Sequence, residues 1–437
     1  MMDAFEEEPY NAEMSQTSAI NLVKLQYEYL CKYKEDLVNK KHSPEMVNTL
    51  MTGRILNAER FFLAYKERCF VESKVEYWLL VGQIFNLSPN FVTKSIDALS
   101  KAVKLDPKRI STWNLLGEAY CNNSEQVLAE KCFENALEQK RNVVSLRNLS
   151  ILSRKRSEGD CKKRKESAEK GIALAKEAVS LNLKDGTSWG VLGNAYISAY
   201  FSIKPDPSYA YKAISAYKQA EKTQEGKGNC DLYHNKYVAL KFVEEYCEAL
   251  EAVSKALELA PTWQLAVDGR NSLMKYLDDI NHFSATHGKL KPKKVTVLRK
   301  SICRIDLGPY ANNRSYKPCN IGALQPGPNP KCVIYGKVTW NLQVDDTFPF
   351  TFGFLDSNGD SLVVTLYNLA ERKGFIIGDA VAIPDPHLTV VDFTFDDKVY
   401  QFLKVKVNSP ASVILNGKPT PSSYNGAIGY VSFETVN

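Results

Sequence analysis

Hydrophobic residues recur at helical spacing through the first two thirds of the chain. Residues 113–120 read Trp-Asn-Leu-Leu-Gly-Glu-Ala-Tyr, and residues 189–196 repeat the pattern as Trp-Gly-Val-Leu-Gly-Asn-Ala-Tyr. The large apolar positions share one helix face, and the glycine lets a partner helix come close. Ala129, Phe133 and Ala136 follow the first copy as a small-large-small stripe. The pattern predicts pairs of helices that pack against each other.

This pattern is the signature of a tetratricopeptide repeat (TPR), whose units bury their apolar faces only by stacking on neighbours. Partial copies begin at Trp78 and Val143, and a further copy keeps Tyr233 and Ala249 in the repeat register. Two amphipathic segments precede the repeats and a charged helix follows them, at residues 21–38, 47–68 and about 264–283. We therefore expect a stack that begins with a helical hairpin and ends in a capping helix.

The composition changes after this stack. Seven Lys or Arg residues and no acidic residue lie between His287 and Arg304, and a Pro/Gly/Asn-rich stretch continues to about Pro330. Short β-type runs then follow, at Cys332–Trp340, Phe348–Phe354, Ser361–Leu366, Ala380–Ile383 and Tyr400–Val407. Asn358-Gly359 is typical of a hairpin turn, and Tyr367–Arg372 is predicted as a short helix. This order of elements predicts an OB-fold, a small Greek-key barrel.

The predicted fold class is an α-helical TPR solenoid followed by a C-terminal all-β OB-fold barrel. Residues 1–19 contain five acidic and no basic residues, which predicts a disordered acidic tail. The TPR superhelix is expected at 20–283, with its N-terminal hairpin and C-terminal cap. A basic and then Pro/Gly-rich linker is expected at 284–330, and the OB-fold domain at 331–437.

The sequence contains no recognisable catalytic constellation. None of the five histidines accompanies a nucleophile motif, and no phosphate-binding loop or H-E-x-x-H motif occurs. Asp356-Ser-Asn-Gly-Asp360 lacks the distal glutamate of a calcium loop and favours a hairpin turn. Ten cysteines lack C-x-x-C or zinc spacing, which predicts reduced and mostly buried thiols. We therefore expect no enzyme, no metal and no cofactor.

Targeting signals are also missing from the sequence. No apolar run approaches the length of a membrane span, and the acidic start is the opposite of a signal or transit peptide. These observations predict a cytoplasmic protein, with the nucleus as a further location.

Polar residues on the inner helices of the repeats are the first candidates for binding. In a TPR, the positions off the packing stripe face the concave groove, and they include Arg147, Arg154, Asn194, Asp231 and His234. The same positions also hold Asn114, Glu118, Cys121 and Lys241. A short extended peptide with one acidic and one basic side chain would be complementary, and the asparagine could hold its backbone. The alternative is that each residue is simply solvated.

The basic segment is the second candidate, through Lys289, Lys291, Lys293 and Lys294. Such a run suits contact with a phosphate backbone, and the alternative is a solvated hinge. The barrel itself has ten acidic and four basic residues between 333 and 400, which argues against direct binding of single-stranded nucleic acid. A barrel that binds proteins or serves structure is favoured.

Several longer motifs resemble one family. They are Ser-Lys-Ala-Val-Lys-Leu-Asp-Pro (100–107), Asn148-Leu-Ser, Asp185-Gly-x-Ser-Trp189, Tyr200-Phe-Ser, Pro349-Phe-Thr-Phe-Gly353, Gly378-Asp-x-Val-Ala-Ile-Pro384 and Asn416-Gly-Lys-Pro419. Together with the order of TPR stack and OB-fold, they resemble the tetratricopeptide repeat protein 5 family, also called Strap, the stress-responsive activator. The first 70 residues resemble the family only loosely.

The resemblance implies an adaptor that recognises the Met-Arg-Glu-Ile start of nascent tubulin at the ribosome. It then recruits an mRNA-decay factor, which is the basis of tubulin autoregulation. The family also implies an alternative, a nuclear transcription cofactor in the stress and DNA-damage response, with an acetyltransferase coactivator and an actin-nucleating cofactor as partners. Neither role involves a membrane.

The resemblance also implies roles for individual residues. Arg154 would pair with the peptide's glutamate, Asp231 with its arginine, and Asn194 would hold its backbone. Lys291 and Lys293 fall on family positions that contact the ribosome. A further acidic position of the family aligns with Leu265 here, so recognition of the peptide's arginine would depend more heavily on Asp231.

Overall fold

The computed structural model describes residues 18–40, 43–155, 161–202, 206–342 and 348–426. Its internal contacts divide the chain into two compact units, one that ends at Ala195 and one that begins at Tyr196. The predicted acidic tail, residues 1–19, lies outside the described residues except for Ser18 and Ala19.

The first unit is helical. Its helices are α1 (Ala19–Asn39), α2 (Pro44–Ala64), α3 (Lys66–Glu72), α4 (Lys74–Phe85), α5 (Val92–Leu105), α6 (Ile110–Asn122), α7 (Gln126–Gln139), α8 (Val143–Lys155) and α9 (Cys161–Leu181), and the unit ends inside α10 (Gly186–Ser202). Several begin at a side-chain cap: the Ser73 hydroxyl, for example, accepts a hydrogen bond from the Glu76 amide at the start of α4.

Helix pairs pack as the repeat signature predicts. A Cβ at Gly82 would lie 2.5 Å from Leu99, and one at Gly117 would lie 2.7 Å from the Phe133 ring. The signature tryptophans repeat one hydrogen bond, because the indole of Trp113 donates to the Pro107 carbonyl at 2.7 Å and that of Trp189 donates to the Leu183 carbonyl at 2.9 Å. The predicted helical repeats are confirmed.

Gly117→Ala tests this close approach, with Gly53→Ala as the matched control. The new methyl at position 117 must displace the buried Phe133 ring, so we expect the free energy of unfolding to fall by about 1–2 kcal/mol. Gly53 is exposed on α2 with nothing within 4 Å, so alanine there is expected to stabilise by about 0.5–1 kcal/mol. Urea denaturation measures both changes, and equal signs would contradict the packing described for Gly117.

The second unit continues with helices and then becomes β-structured. After the end of α10, its helices are α11 (Pro207–Ala220), α12 (Gln224–Lys227), α13 (Cys230–Val243), α14 (Tyr246–Leu259), α15 (Gln264–Thr286) and α16 (Pro292–Lys300). Residues 284–330, expected as a linker, thus contain the end of α15, all of α16 and two short strands.

The strands form one curled sheet. They are β1 (Lys317–Cys319), β2 (Gly327–Pro328), β3 (Cys332–Leu342), β4 (Phe350–Leu355), β5 (Ser361–Leu366), β6 (Ala380–Pro384), β7 (His387–Phe395), β8 (Lys398–Val407), β9 (Ile414–Leu415) and β10 (Lys418–Pro419). Their order is β10-β9-β6-β3-β4-β5-β8-β7-β2, with β1 beside β3. All pairs are antiparallel except β1–β3 and β5–β8.

One sequence prediction for the barrel is wrong, and one strand was not predicted. The short helix expected at Tyr367–Arg372 does not form, because Asn368 and Arg372 both adopt left-handed backbone angles that interrupt helical geometry. Strand β7 was not expected at all. It alternates irregularly between exposed and buried positions, which weakens the period-two signal of a strand.

The predicted hairpin turn of the barrel is confirmed, and the structure also shows an aromatic core. Phe350, Phe352 and Phe354 are core residues, with Phe352 and Phe354 fully buried. The turn at Asn358-Gly359 joins β4 to β5, and the Asp356 carboxylate accepts three backbone amide hydrogen bonds from residues 358–360 at 2.9–3.0 Å. Asp356 is therefore a turn cap, since these amides occupy the carboxylate.

Candidate peptide-binding and basic surfaces

Arg147 on α8 forms an ion pair within the first unit. Its guanidinium donates to the Asp185 carboxylate at 2.8 Å, and the two side chains are only 22% and 14% exposed. Asp185 also accepts hydrogen bonds from Thr187 and Ser188 at the start of α10. Arg147 therefore joins α8 to the first turn of α10. The repeat positions did not reveal this ion pair, because Asp185 lies 38 residues from Arg147 in the sequence.

The other predicted residues of the first unit are also half-buried. Arg154 lies in the last turn of α8, where its aliphatic stem packs near Gly171, and Asn194 lies on α10. Burial raises the pKa of Glu118 on α6, and nearby Arg147 opposes that increase. The first unit thus carries a guanidinium at Arg154, at the end of α8, and a poorly solvated carboxyl at Glu118 on α6.

In the second unit, helix α13 presents three ionisable side chains. Asp231, His234 and Lys241 lie three and seven residues apart, which is the spacing of one helix face. Asn229 caps the start of this helix, since its side chain accepts a hydrogen bond from the Leu232 amide at 3.0 Å. Burial raises the pKa of Asp231, and no cation of the described residues offsets this increase. The carboxylate of Asp231 is therefore disposed to accept a cation.

His234 contributes an aromatic wall rather than a charge. Its ring centroid lies 4.8 Å from that of Trp263 and 5.7 Å from that of Tyr237. Burial, together with repulsion from Lys241, lowers the pKa of His234 to about 4. The imidazole is therefore neutral at physiological pH and can pack on an apolar or aromatic group.

Lys241 is held over aromatic rings. Its ammonium nitrogen lies 4.9 Å from the ring centre of Phe348 and 5.6 Å from those of Tyr237 and Phe242. Burial lowers the pKa of Lys241 to about 8, with no acidic partner among the described residues. Cation–π contacts of this kind compensate part of the lost hydration. The groove positions of the sequence included Lys241, but the predicted site did not.

The predicted basic segment is exposed and structured. Lys289, Lys291, Lys293 and Lys294 are all exposed, and the last two lie in the first turn of α16. The segment rests on the barrel: Gly288 approaches Trp340, Leu298 lies near Gly378, and Arg299 lies near Gly359. In the part of the chain that the structure describes, none of the four lysines forms an ion pair. They form one cationic surface.

A buried ion pair joins α13 to the barrel within the second unit. Glu244 ends α13 in a left-handed conformation (φ 65°), and its carboxylate accepts from the Lys404 ammonium at 2.7 Å and from the Tyr367 hydroxyl at 2.9 Å. The side chains of Glu244 and Lys404 are 1% and 3% exposed. Lys406 donates to the Phe242 carbonyl at 2.7 Å. The barrel is therefore attached to the end of α13.

Aromatic and polar contacts extend this attachment to α15. The Tyr276 hydroxyl lies 2.7 Å from the Thr351 hydroxyl, and the Tyr276 ring stacks on Phe348 with centroids 4.4 Å apart. Asp278 accepts from Lys398 at 2.7 Å and from the Tyr400 hydroxyl at 3.0 Å. Sequence reasoning missed this cluster, because its contacts join residues that lie between 72 (Tyr276 and Phe348) and 164 (Phe242 and Lys406) positions apart, and no local pattern marks them.

These features define a class of protein: a TPR adaptor with an OB-fold barrel, of the kind that binds other macromolecules. Within the described residues, no group of three or more His, Cys, Asp or Glu could hold a metal ion. Among those residues, no helix combines the length and apolar character that a membrane span requires.

Comparison with known proteins identifies the family. The model of the tetratricopeptide repeat protein 5 OB fold domain matches residues 315–427. Tetratricopeptide repeat protein 5 of Bos taurus is 37% identical over 82% of this chain and 83% of its own length. The Homo sapiens protein of that name is 37% identical over 81% and 82%. The chain belongs to the tetratricopeptide repeat protein 5 family.

Among solved structures, the chain is similar to a thermophilic TPR protein of Thermus thermophilus. The likeness covers 46% of this chain and 98% of that one, with 18% identity and a TM-score of 0.38.

Proposed function

We propose that this chain is an adaptor that binds the Met-Arg-Glu-Ile-type start of nascent tubulin at the ribosome and brings about decay of tubulin mRNA. The single observation that carries the proposal is the Asp231 carboxylate, which is partly buried on α13 without a cation beside it among the described residues. A peptide arginine would supply that cation. In this proposal the chain acts in the cytoplasm and catalyses no reaction.

The surroundings of Asp231 support a peptide rather than a free ion. His234 and Trp263 offer neutral aromatic faces, against which an arginine stem or a methionine side chain can pack. Arg154 in the first unit is the proposed partner of the peptide's glutamate, and Asn194 is the proposed partner of its backbone. We assign Arg147 a supporting role, since its guanidinium is paired with Asp185.

The cationic surface supports the ribosomal part of the proposal. Positive charges in the first turn of a helix oppose the helix dipole, which costs a few tenths of a kcal/mol each. Lys293 and Lys294 occupy this unfavourable position without an acidic partner among the described residues. A phosphate backbone would offset both the dipole and the mutual repulsion of the lysines.

Binding of a labelled Met-Arg-Glu-Ile peptide tests the groove. We expect Asp231→Ala and Arg154→Ala each to weaken binding about ten- to hundredfold, because each removes a charge-assisted hydrogen bond worth about 1.5–3 kcal/mol. Fluorescence anisotropy of the full chain measures this change. Glu225→Ala, which removes an exposed carboxylate on α12, is the matched control and should leave the affinity unchanged.

A double-mutant cycle tests whether Asp231 binds the peptide's arginine. If Asp231 binds the peptide's arginine, a peptide with alanine in place of that arginine should bind the wild-type chain as weakly as the original peptide binds Asp231→Ala. Combining the two changes should then add little further loss. Additive losses would show that Asp231 does not bind the peptide's arginine. If the folded wild-type chain does not bind the peptide at all, the nuclear cofactor role is favoured instead.

A further inference from the structure

Two cysteine thiols lie side by side at the edge of the barrel. The sulfur atoms of Cys319 and Cys332 are 3.0 Å apart, and the Cys319 sulfur is also 3.3 Å from the Lys317 carbonyl oxygen. Both cysteines are free and half-buried. Strand β1 runs parallel to β3, with Lys317 opposite Cys332 and Cys319 opposite Ile334. Because side chains alternate along a strand, Cys319 and Cys332 lie on the same face of the sheet, two residues apart in register.

The sequence expectation of mostly buried thiols is therefore wrong. Of the nine cysteines that the structure describes, only Cys69 and Cys132 are buried, whereas Cys303 is exposed and the rest are half-buried. Cys319 ends the three-residue strand β1 and Cys332 begins β3, and because both are only half-buried these thiols retain access to small solutes.

We propose that Cys319 and Cys332 form an oxidisable dithiol site, which a peroxide converts to a disulfide that cross-links β1 to β3. One thiolate attacks a peroxide oxygen, which breaks the O–O bond, releases water after proton transfer and leaves a sulfenic acid. The second thiolate then attacks that sulfur and expels the oxygen as a second water. Two thiols and one hydrogen peroxide thus give one disulfide and two water molecules.

The surrounding structure permits this closure. A disulfide bond is about 2.05 Å long, so the sulfurs must approach by about 1 Å. β1 has only three residues, and both Lys317 and Pro318 are exposed, so this edge can shift without disturbing the core. The segment between the two cysteines includes Ile321 and Leu324, which fill the barrel core. A cross-link would therefore fix this segment on the barrel.

The local environment of Cys319 affects the rate of oxidation. Burial, followed by the hydrogen bond with Cys332, raises the pKa of Cys319 to about 11, although Lys317 opposes the increase. Thiolate is the reactive form, so oxidation at neutral pH is expected to be slow and to accelerate as the pH rises toward 10.

Peroxide titration of the full chain with mass spectrometry tests the proposal. Trypsin cleaves after Arg314, Lys331 and Lys337 but not between Lys317 and Pro318, so it places the two thiols on separate peptides, 315–331 and 332–337. Without reductant, we expect these peptides to appear as one species, 2 Da lighter than their sum. Dithiothreitol should separate them, and Cys319→Ser or Cys332→Ser should abolish the linked species.

Thermal unfolding provides a second readout. Peroxide should raise the unfolding temperature of the wild-type chain by several degrees, about 2–4 °C or more, and should not do so in Cys319→Ser. Cys303→Ser is the matched control, since it removes an exposed thiol and should leave the linked peptides unchanged. The proposal is overturned if peroxide oxidises Cys303 fully while peptides 315–331 and 332–337 remain separate, or if either links to another cysteine instead.

Discussion

Glu244→Gln is expected to lower the free energy of unfolding of the second unit by about 3–5 kcal/mol. Glutamine keeps the shape and the left-handed backbone of Glu244 but removes the charge that faces Lys404, whose side chain is 3% exposed. An ammonium left in such a place without its counter-charge has neither water nor a carboxylate to solvate it. Urea denaturation of the full chain measures the loss.

Two further variants distinguish the ion pair from general damage. Lys404→Met in the Glu244→Gln background replaces the stranded ammonium with an apolar side chain, so the double variant should be more stable than the sum of the single changes predicts. Glu248→Gln is the matched control, because its pair with Lys218 is about half exposed on each side and should change stability by only about 0–1 kcal/mol. Equal losses for Glu244→Gln and Glu248→Gln would contradict the assignment.

The same ion pair predicts a dependence on acid. Burial alone would raise the pKa of Glu244, but Lys404 and Lys406 outweigh it and hold the pKa below the ordinary 4.5. A carboxyl whose folded pKa is lowered contributes stability that is complete above its unfolded pKa and is lost as the pH falls through the folded value. Wild-type stability should therefore decline more steeply than that of Glu244→Gln below about pH 4.5.

Reversing three charges of the cationic surface is expected to abolish the proposed association with the ribosome at physiological salt. The change is Lys291→Glu with Lys293→Glu and Lys294→Glu, which replaces exposed cations with groups that repel phosphate. We expect affinity for purified ribosomes to fall at least a hundredfold. If each lysine contacts one phosphate, the slope of log affinity against log salt should decrease by about 2–3.

The control carries the same change in charge elsewhere in the second unit. Lys222, Lys227 and Lys275 are exposed lysines outside the basic segment, so their triple exchange to glutamate should preserve most of the affinity. Binding of the Met-Arg-Glu-Ile peptide should be unchanged in both triple variants. A similar loss of ribosome affinity in both would show that net charge, rather than this surface, governs association.

Local patterns predicted much of the fold. The Trp-Leu-Gly-Tyr stripe predicted helix pairs because Gly117 and Phe133 meet at a spacing that the repeat itself encodes. Asn358-Gly359 predicted its hairpin because that turn requires such residues. The same reasoning gave a helix at Tyr367–Arg372, where the structure has turns with left-handed residues instead. Composition could not show where tertiary packing overrides the local preference for a helix.

The candidate site was predictable only in part. Groove positions follow from the repeat, and so the sequence could nominate Arg147 and Asp231. It could not show that Arg147 is paired with Asp185, nor that Asp231 has no cation beside it among the described residues. Partners of this kind are set by how successive repeats stack, and their separation along the chain follows no fixed period. The same is true of Glu244 and Lys404.

The attachment of α13 to the barrel changes which part of this protein can be produced alone. The match to the family's OB fold domain begins at residue 315, whereas the compact second unit begins at Tyr196. A fragment cut at residue 315 would keep Lys404 and Phe348 but lose Glu244 and Tyr276, which cover them. Its newly bared face would be apolar and cationic, a surface that promotes aggregation in a bacterial host. Shortened genes should therefore begin before Gly186, which keeps α10 whole.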